Sequence, residues 1–413
     1  MSVLPAAPPP DDSSMPPESQ AGRRSLAADV SLSAIVTGFV TVLVGYTSSA
    51  VIVFEAARAT GADAAMVASW MWALGLGMGL TCIGLSIRYR MPVVTAWSTP
   101  GAALLVTSAP GIPLSALSGA FVATGILILV AGATGWFERV MSRIPLSLAS
   151  GMLAGVLLRF GLDAFGAVRT APVLVTAMFG VWLLGRRFWP RYAVPGALGV
   201  GIAIAAGAGT LRFTGVPLAL ATPVFVTPAF SWSALISVTA PLFIVTMASQ
   251  NIPGVATMRA HGYTPPVSPV IAWTGAATTL LAPFGGYTLN LAAITAAICM
   301  GRDAHEDPRR RYVAAMAAGV FYVLLGLFGA TIGALLAAFP RELVAALAGL
   351  ALVGTIGNGL ATAARDETER EAAIVTFLVT ASGLTLWGVG AAFWGLVAGL
   401  VVRAVFSWKR PGR

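Results

Sequence analysis

The stretch Gly285–Ala297 reads GGYTLNLAAITAA and sits inside a strongly apolar run between Ile271 and Met300. Two glycines, a tyrosine, a threonine and an asparagine interrupt what would otherwise be a plain membrane helix. Non-helical backbone is expensive in lipid, because each unpaired amide there costs several kcal/mol. A break at that depth needs a reason, and the surrounding sequence supplies one.

The chain has 413 residues, 57% hydrophobic and 10% charged, with 46 glycines and a mean hydropathy of +0.85. Soluble domains carry roughly 25% charged residues, so the composition specifies an all-α polytopic membrane protein. Fourteen spans are expected, at 31–55, 65–87, 92–109, 114–137, 145–162, 171–187, 193–210, 233–257, 267–282, 284–300, 312–337, 342–361, 372–386 and 388–406. With both termini cytoplasmic, 20 of the 25 Lys and Arg fall inside and four outside: Arg58, Arg169, Arg212 and Arg341. Arg159 lies within a span. That distribution follows the positive-inside rule. It also accounts for the net charge of +9 without nucleic acid as a partner.

Cys82 and Cys299 are the only cysteines, and His261 and His305 fall in loops, so neither a metal site nor a cofactor is expected. Residues 1–28 are rich in Pro, Ser, Asp and Ala without an apolar core, and read as a disordered cytoplasmic tail. RDETERE (Arg365–Glu371) and RDAHEDPRRR (Arg302–Arg311) read as solvated cytoplasmic loops. No Ser-His-Asp set, HExxH, P-loop or nucleotide fingerprint is present, so an enzyme or an ATP-driven pump is disfavoured.

Four short matches recur in order. SLSAI (Ser31–Ile35) matches SWSAL (Ser231–Leu235), and RATG (Arg58–Gly61) matches RAHG (Arg259–Gly262). GAT (Gly132–Thr134) matches GAT (Gly329–Thr331), and IPLSL (Ile144–Leu148) matches FPREL (Phe339–Leu343). The opening stretch joins them, since AWSTPGAAL (Ala96–Leu104) aligns with GYTLNLAAI (Gly286–Ile294). A seven-span unit has odd parity, so its copy enters from the other side. The expectation is a 7+7 inverted repeat over 29–212 and 229–408, a construction common in secondary transporters.

Span three begins RMPVVTAWSTPG. Pro92 and the β-branched Val93, Val94 and Thr95 favour extended backbone, Ser98 or Thr99 can cap a helix, and Pro100 suits its first turn. In span ten Gly285 and Gly286 oppose helix, and Thr288 or Asn290 can cap. Both segments read as an extended piece followed by a half-helix. Two facing half-helix N-termini would present unpaired N–H groups and partial positive charge to an anion near the midplane. The broken helix is thus expected to bind something negative.

Candidate contacts follow from that expectation. Ser98, Thr99, Thr288 and Asn290, with Gly101 and Leu289 beside them, would hold the anion. Span eight places Ser249, Gln250 and Asn251 before Pro253, and polar residues at such depth face a cavity or another helix. Tyr46, Ser48 and Ser49 stand opposite in the repeat. Trp97, Phe284, Tyr287 and Tyr46 offer rings to a planar substrate. Few acids are placed to carry a proton; Glu55 and Asp163 are the candidates, although Arg159 and Asp163 share a helix face and can pair. Gly151/Gly155, Gly329/Gly333 and Gly395/Gly399 permit close helix contact, within one chain or in a homo-oligomer.

In VGYTSSA (Val44–Ala50), WALGLGMGLTCIGLSIRYRMPVVTAWSTPGAALL (Trp72–Leu105), VTMASQNIPGV (Val245–Val255), APFGGYTLNLAAITAAICMG (Ala282–Gly301) and AHEDP (Ala304–Pro308), the sequence resembles the BenE-type benzoate–proton symporter family. The resemblance implies uptake of benzoate or a related aromatic carboxylate with H⁺ across a bacterial inner membrane. It also implies the fold of nucleobase and sulfate permeases, in which a core of spans 1–4 and 8–11 moves, elevator-like, against a gate of spans 5–7 and 12–14. Nucleobase permeases of that fold carry glutamates in span eight and near the span-ten break. Here those regions read SQN and GGYTLN. That departure favours an anionic substrate and leaves the proton carrier unassigned. An inorganic-anion or dicarboxylate carrier and a passive anion channel are the competing expectations.

Overall fold

A computed structural model describes residues 29–135, 145–211, 218–302, 304–384, 386 and 391–407. The tail 1–28, Arg212, the ends of the expected spans four and fourteen, and the Ser48 side chain lie outside the described residues. The first half comprises α1 (Leu32–Ala59), α2 (Ala64–Tyr89), β1 (Thr95–Trp97), α3 (Thr99–Ser108), α4 (Leu114–Ala133), α5 (Leu146–Gly166), α6 (Pro172–Phe188) and α7 (Ala193–Gly207). The second comprises α8 (Trp232–Arg259), α9 (Val267–Leu281), β2 (Leu289–Leu291), α10 (Ile294–Met300) and α11 (Tyr312–Leu327). It continues with α12 (Gly329–Ala337), α13 (Arg341–Arg365), α14 (Arg370–Ala381) and α15 (Ala391–Ser407).

Every expected segment carries a helix, and 312–337 divides at Phe328 into α11 and α12. By length and composition alone, seven described helices can cross a membrane, or eight if the two arms of α1 count as one span. Those arms, Leu32–Thr47 and Ser49–Ala59, meet at 44°. Near the bend Thr47 Oγ1 donates to Leu43 O and Ser49 Oγ to Gly45 O, back-bonds that tend to bend helices.

Local chemistry explains where the helices begin and end. Ser31 and Ser231 both adopt extended backbone and accept the N–H three residues on at 3.2 Å, starting α1 and α8 alike. Pro145 and Pro340 occupy the N-cap of α5 and α13 at the same φ of −57°. After α1 and α8 the chain turns through Gly61 and Gly262, each with a φ of +81°, which favours glycine. Three of the four sequence matches thus share local geometry.

Packing forms two groups of helices. In the first, α2 lies along α11 and α4 along α9. These pairs touch through small residues: a methyl group on Gly75 would lie 2.5 Å from Gly326 Cα, and one on Gly275 would lie 2.3 Å from Leu129 N. In the second, α5 packs on α13 and α14, α14 on α15, and α6 on α7. The small-residue pairs are consumed inside the chain. Gly151 and Gly155 meet Ala373 and Phe377 of α14, Gly329 meets Ala68 of α2, and Gly395 and Gly399 meet Thr380 and Thr376.

The loop expected to be solvated around AHEDP is partly buried instead. Arg311 is 8% exposed and donates to the carbonyls of Met300, His305 and Glu306, which holds the loop against α10. Buried Asp29 accepts from Tyr312 OH at 2.8 Å and pairs with Arg90 at 3.4 Å and Arg310 at 3.5 Å. These contacts tie the start of α1 to the end of α2 and the start of α11. Glu369 of the other acidic loop pairs with Arg403 at 3.0 Å.

Candidate functional site

The two interrupted segments meet. β1 and β2 form a two-stranded antiparallel ribbon with Thr95 opposite Leu291, Ala96 opposite Asn290 and Trp97 opposite Leu289. The pairing extends at both ends, with Ser98 N donating to Thr288 O at 3.4 Å and Ala292 N to Val94 O at 2.9 Å. Ser98 and Thr288, equivalents in the expected repeat, are cross-strand partners here. The extended pieces are thus a paired element whose backbone groups satisfy one another, as a lipid setting demands.

Both outer edges of the ribbon are also closed. On β1, Thr95 N donates to Cys82 Sγ and Trp97 N to Met78 Sδ, each at 3.1 Å. On β2, Leu289 N donates to Thr278 Oγ1 and Leu291 N to Asn251 Oδ1, each at 2.9 Å. Asn251 reaches that edge from a π turn, Met247–Asn251, placed just before Pro253 in α8. Such turns rotate the residues that follow and are frequent at functional sites. The π turn touches β2 on one side and α5 on the other. Gln250, in the same turn, is half-buried and makes no side-chain hydrogen bond among the described residues.

The helix after β1 starts as expected. Ser98 Oγ accepts from Gly101 N at 3.0 Å, Pro100 stands in the first turn, and Ala102 N donates to Ser98 O. These bonds leave Thr99 N–H as the first-turn amide available to a ligand. Gly101 admits α8, since a methyl group there would lie 2.6 Å from Leu242 Cδ1. The helix after β2 differs from expectation. α10 begins at Ile294 behind Ala293, with no side-chain cap, because Thr288 and Asn290 are taken up by the ribbon. Gly285 makes the preceding turn at a φ of +97° against Trp70.

Side chains alternate along a strand, so Thr288 and Asn290 share one face of the ribbon with Ser98 and Ala96. On that face Ser98 Oγ lies 3.1 Å from Thr246 Oγ1 of α8. Asn290 Nδ2 donates to Leu291 O at 2.9 Å. Among the described residues, Thr288 Oγ1 and Asn290 Oδ1 are buried without a hydrogen-bond partner, as is Tyr46 OH. An unpartnered buried polar atom costs about 1–3 kcal/mol, so Thr288 and Asn290, side by side on one face, mark a place built for something else.

The candidate rings divide. Tyr46 packs edge-on against Trp97 at 4.8 Å between centroids, and Trp97 Nε1 donates to Ser49 Oγ at 2.8 Å. Tyr287 is fully buried between Trp70 and Phe121 and donates its hydroxyl to Ser98 O at 3.0 Å, so it braces the cap of α3. Phe284 lies apart, in a short turn after α9, against Trp72 and Phe225. Leu289 fills the space over Gly77 of α2.

The two acids also stand away from the ribbon. Glu55 is near the end of α1, within electrostatic reach of Arg58 and Arg341. Asp163 is exposed and lies 3.9 Å from Arg159. No group of three or more His, Cys, Asp or Glu suited to a metal occurs among the described residues. The sequence reading missed Thr246, Thr278, Met78 and Cys82. Single threonines and sulfur atoms in apolar helices carry no signal until the ribbon they serve is known.

Comparison with known proteins identifies relatives over nearly the whole chain. The family profile described as "Benzoate membrane transport protein" matches residues 28–405. The chain is 50% identical over 373 residues to the inner membrane protein YdcO of Escherichia coli (strain K12), covering 90% of this chain and 95% of that protein. It is 42% identical over 388 residues to the benzoate membrane transport protein of Acinetobacter baylyi (strain ATCC 33305 / BD413 / ADP1), covering 94% and 98%. Among solved structures, SLC26A9 superposes with a TM-score of 0.62 at 13% identity, covering 92% of this chain and 67% of that one. The transmembrane domain of the cyanobacterial bicarbonate transporter BicA gives 0.56 at 14% identity, covering 94% and 98%. The likeness to these structures is one of fold.

Proposed function

This chain belongs to the benzoate membrane transport protein family, and from that premise we propose that it imports benzoate or a related aromatic carboxylate together with H⁺ by alternating access. The observation that carries the reading is the ribbon face, where Thr288 Oγ1 and Asn290 Oδ1 are buried without partners beside the capped N-terminus of α3. The substrate carboxyl group sits there, reached by Ser98, the Thr99 N–H, Thr288 and Asn290. Gln250 adds a contact from the π turn. The ring extends toward α5, which touches both α3 and that turn. Trp97 and Tyr46 pack against the opposite face of the ribbon, Asn251 and Leu289 hold β2 in place, and Tyr287 holds α3. Phe284, Glu55 and Asp163 stand outside the contact set.

The moving parts follow the 7+7 inverted repeat, over 29–212 and 229–408. The core, α1–α4 with α8–α12, slides against the gate, α5–α7 with α13–α15. Support comes from the matched caps at Ser31 and Ser231 and at Pro145 and Pro340, and from the matched turns at Gly61 and Gly262. The crossed packing of α2 on α11 and α4 on α9 is what a twofold relation would produce. A site on the core, closed alternately by the gate, moves substrate without opening a continuous pore. The relative named as an inner membrane protein and the arginine distribution support a bacterial inner-membrane protein with both termini cytoplasmic.

Labelled benzoate counterflow in proteoliposomes tests the proposal, with protein-free liposomes as control because the neutral acid crosses lipid unaided. Saturable, protein-dependent exchange is expected, with net uptake raised by an inward proton gradient. No exchange above the control from folded protein would remove benzoate as substrate.

A further inference from the structure

We propose that the transported proton rides on the substrate itself: the ribbon binds the aromatic acid uncharged, its carboxyl O–H donated to Asn290 Oδ1 and its carbonyl oxygen accepting from the Thr288 hydroxyl. The inference rests on the aromatic-carboxylate reading above and deepens it.

The amide of Asn290 fixes the chemistry. Its Nδ2 donates to Leu291 O at 2.9 Å, and the reverse orientation would set two carbonyl oxygens against each other. The buried, unpartnered atom is therefore an acceptor, Oδ1. A carboxylate has only acceptors and would repel it, whereas a carboxylic acid carries one O–H donor. Thr288 Oγ1, also unpartnered, lies two residues along the same face, about 7 Å away along the strand. Its hydroxyl can donate to the second oxygen of the same group. Ala96, opposite Asn290, keeps that face free of a larger side chain.

Among the described residues, no carboxyl or imidazole group borders the ribbon to carry the proton instead. From α1 the ribbon meets Tyr46, which packs on Trp97; Glu55 lies nine residues further on, about 13 Å along the helix, near Arg58 and Arg341. From α2 it meets Cys82, bound to Thr95, and α10 carries Cys299, bound to Thr41. In α5 Arg159 and Asp163 are exposed and paired with each other. α13 carries Arg341 and Glu342 in its first turn, α8 has only Arg259 at its far end, and α3, α4 and α9 have no titratable residue. His261 and His305 lie in loops. The cycle balances without any of these groups. Outside, carboxylate and one proton form the acid; inside, the released acid returns that proton to water. One H⁺ crosses per carboxylate, and no net charge moves.

Isotope-edited infrared difference spectra of purified protein with carboxyl-¹³C benzoate at neutral pH test this directly. The bound ligand is expected to show the C=O stretch of an acid. Apparent affinity should fall about tenfold per pH unit above the ligand's own pKa. Across ring-substituted benzoates of different acidity, the onset of that fall should move with each ligand. Carboxylate bands in the bound state, or one midpoint common to all ligands, would overturn the inference and leave benzoate as substrate. No protein-dependent binding at any pH, from folded protein, would remove the substrate reading and the inference together.

Discussion

The two outer edges of the ribbon do the same job with different atoms. β1 hands its outward amides to sulfur, at Cys82 and Met78, while β2 hands its own to oxygen, at Thr278 and Asn251. Sulfur is the weaker acceptor. The β1 edge is therefore held more by packing under α2, and the β2 edge more by its hydrogen bonds. The difference teaches that extended backbone at this depth survives through acceptors lent by neighbouring helices, and that the two lenders are unequal.

Substitutions that delete one acceptor at a time should expose that inequality. Asn251→Leu has the largest expected effect, about 2–3 kcal/mol of destabilisation, because Leu291 N–H is left buried and unpaired. A thermal or denaturant midpoint in detergent that stays at the wild-type value would contradict the role given to this bond. Thr278→Val should follow at about 1–2 kcal/mol, measured in the same way. On the sulfur edge Met78→Leu keeps most of the volume and loses a weak acceptor, so a cost of about 1 kcal/mol is expected. A loss as large as that of Asn251→Leu would erase the contrast between the edges.

The same chemical change on the open face should reverse sign. Thr288→Val removes an unpartnered hydroxyl and should stabilise the fold by about 0.5–1 kcal/mol while lowering benzoate exchange. Stability and exchange both unchanged would separate Thr288 from the site. Smallest of all, Cys82→Ser preserves an acceptor for Thr95 N–H and should shift stability by no more than about 0.5 kcal/mol. Thiol-specific reagents offer an independent check, since buried Cys82 should react only after unfolding.

What the sequence revealed about this region was local. Pro92 and the β-branched run predicted extended chain before α3, and Ser98 with Pro100 predicted its start, because caps and first turns depend on nearest neighbours. In span ten the paired glycines predict the interruption, but neither Thr288 nor Asn290, either of which could cap the helix by sequence, does so. Their role depends on β1, far away in the chain, and no local preference reports it. The same limit applies to Asn251. Its polarity within an apolar helix is visible, but its partner, the Leu291 N–H, lies on a strand whose edge is defined by the pairing with β1. Phe284 is near the break in sequence, yet its ring packs on Trp72 and Phe225, neighbours that no local pattern indicates.

The register of the ribbon has a consequence for how the chain is made. Ala96 pairs with Asn290, so one strand leaves the ribosome long before the other. At synthesis rates of about 5–20 residues per second, β1 waits about 10–40 s for β2. During that wait its inward amides face an unfinished protein. Met78 and Cys82 precede β1 in the chain and can close its outward edge at once. Thr278 and Asn251 are synthesised late, just ahead of β2. The weak sulfur edge is thus the one available early, and the stronger oxygen edge arrives together with the strand it serves.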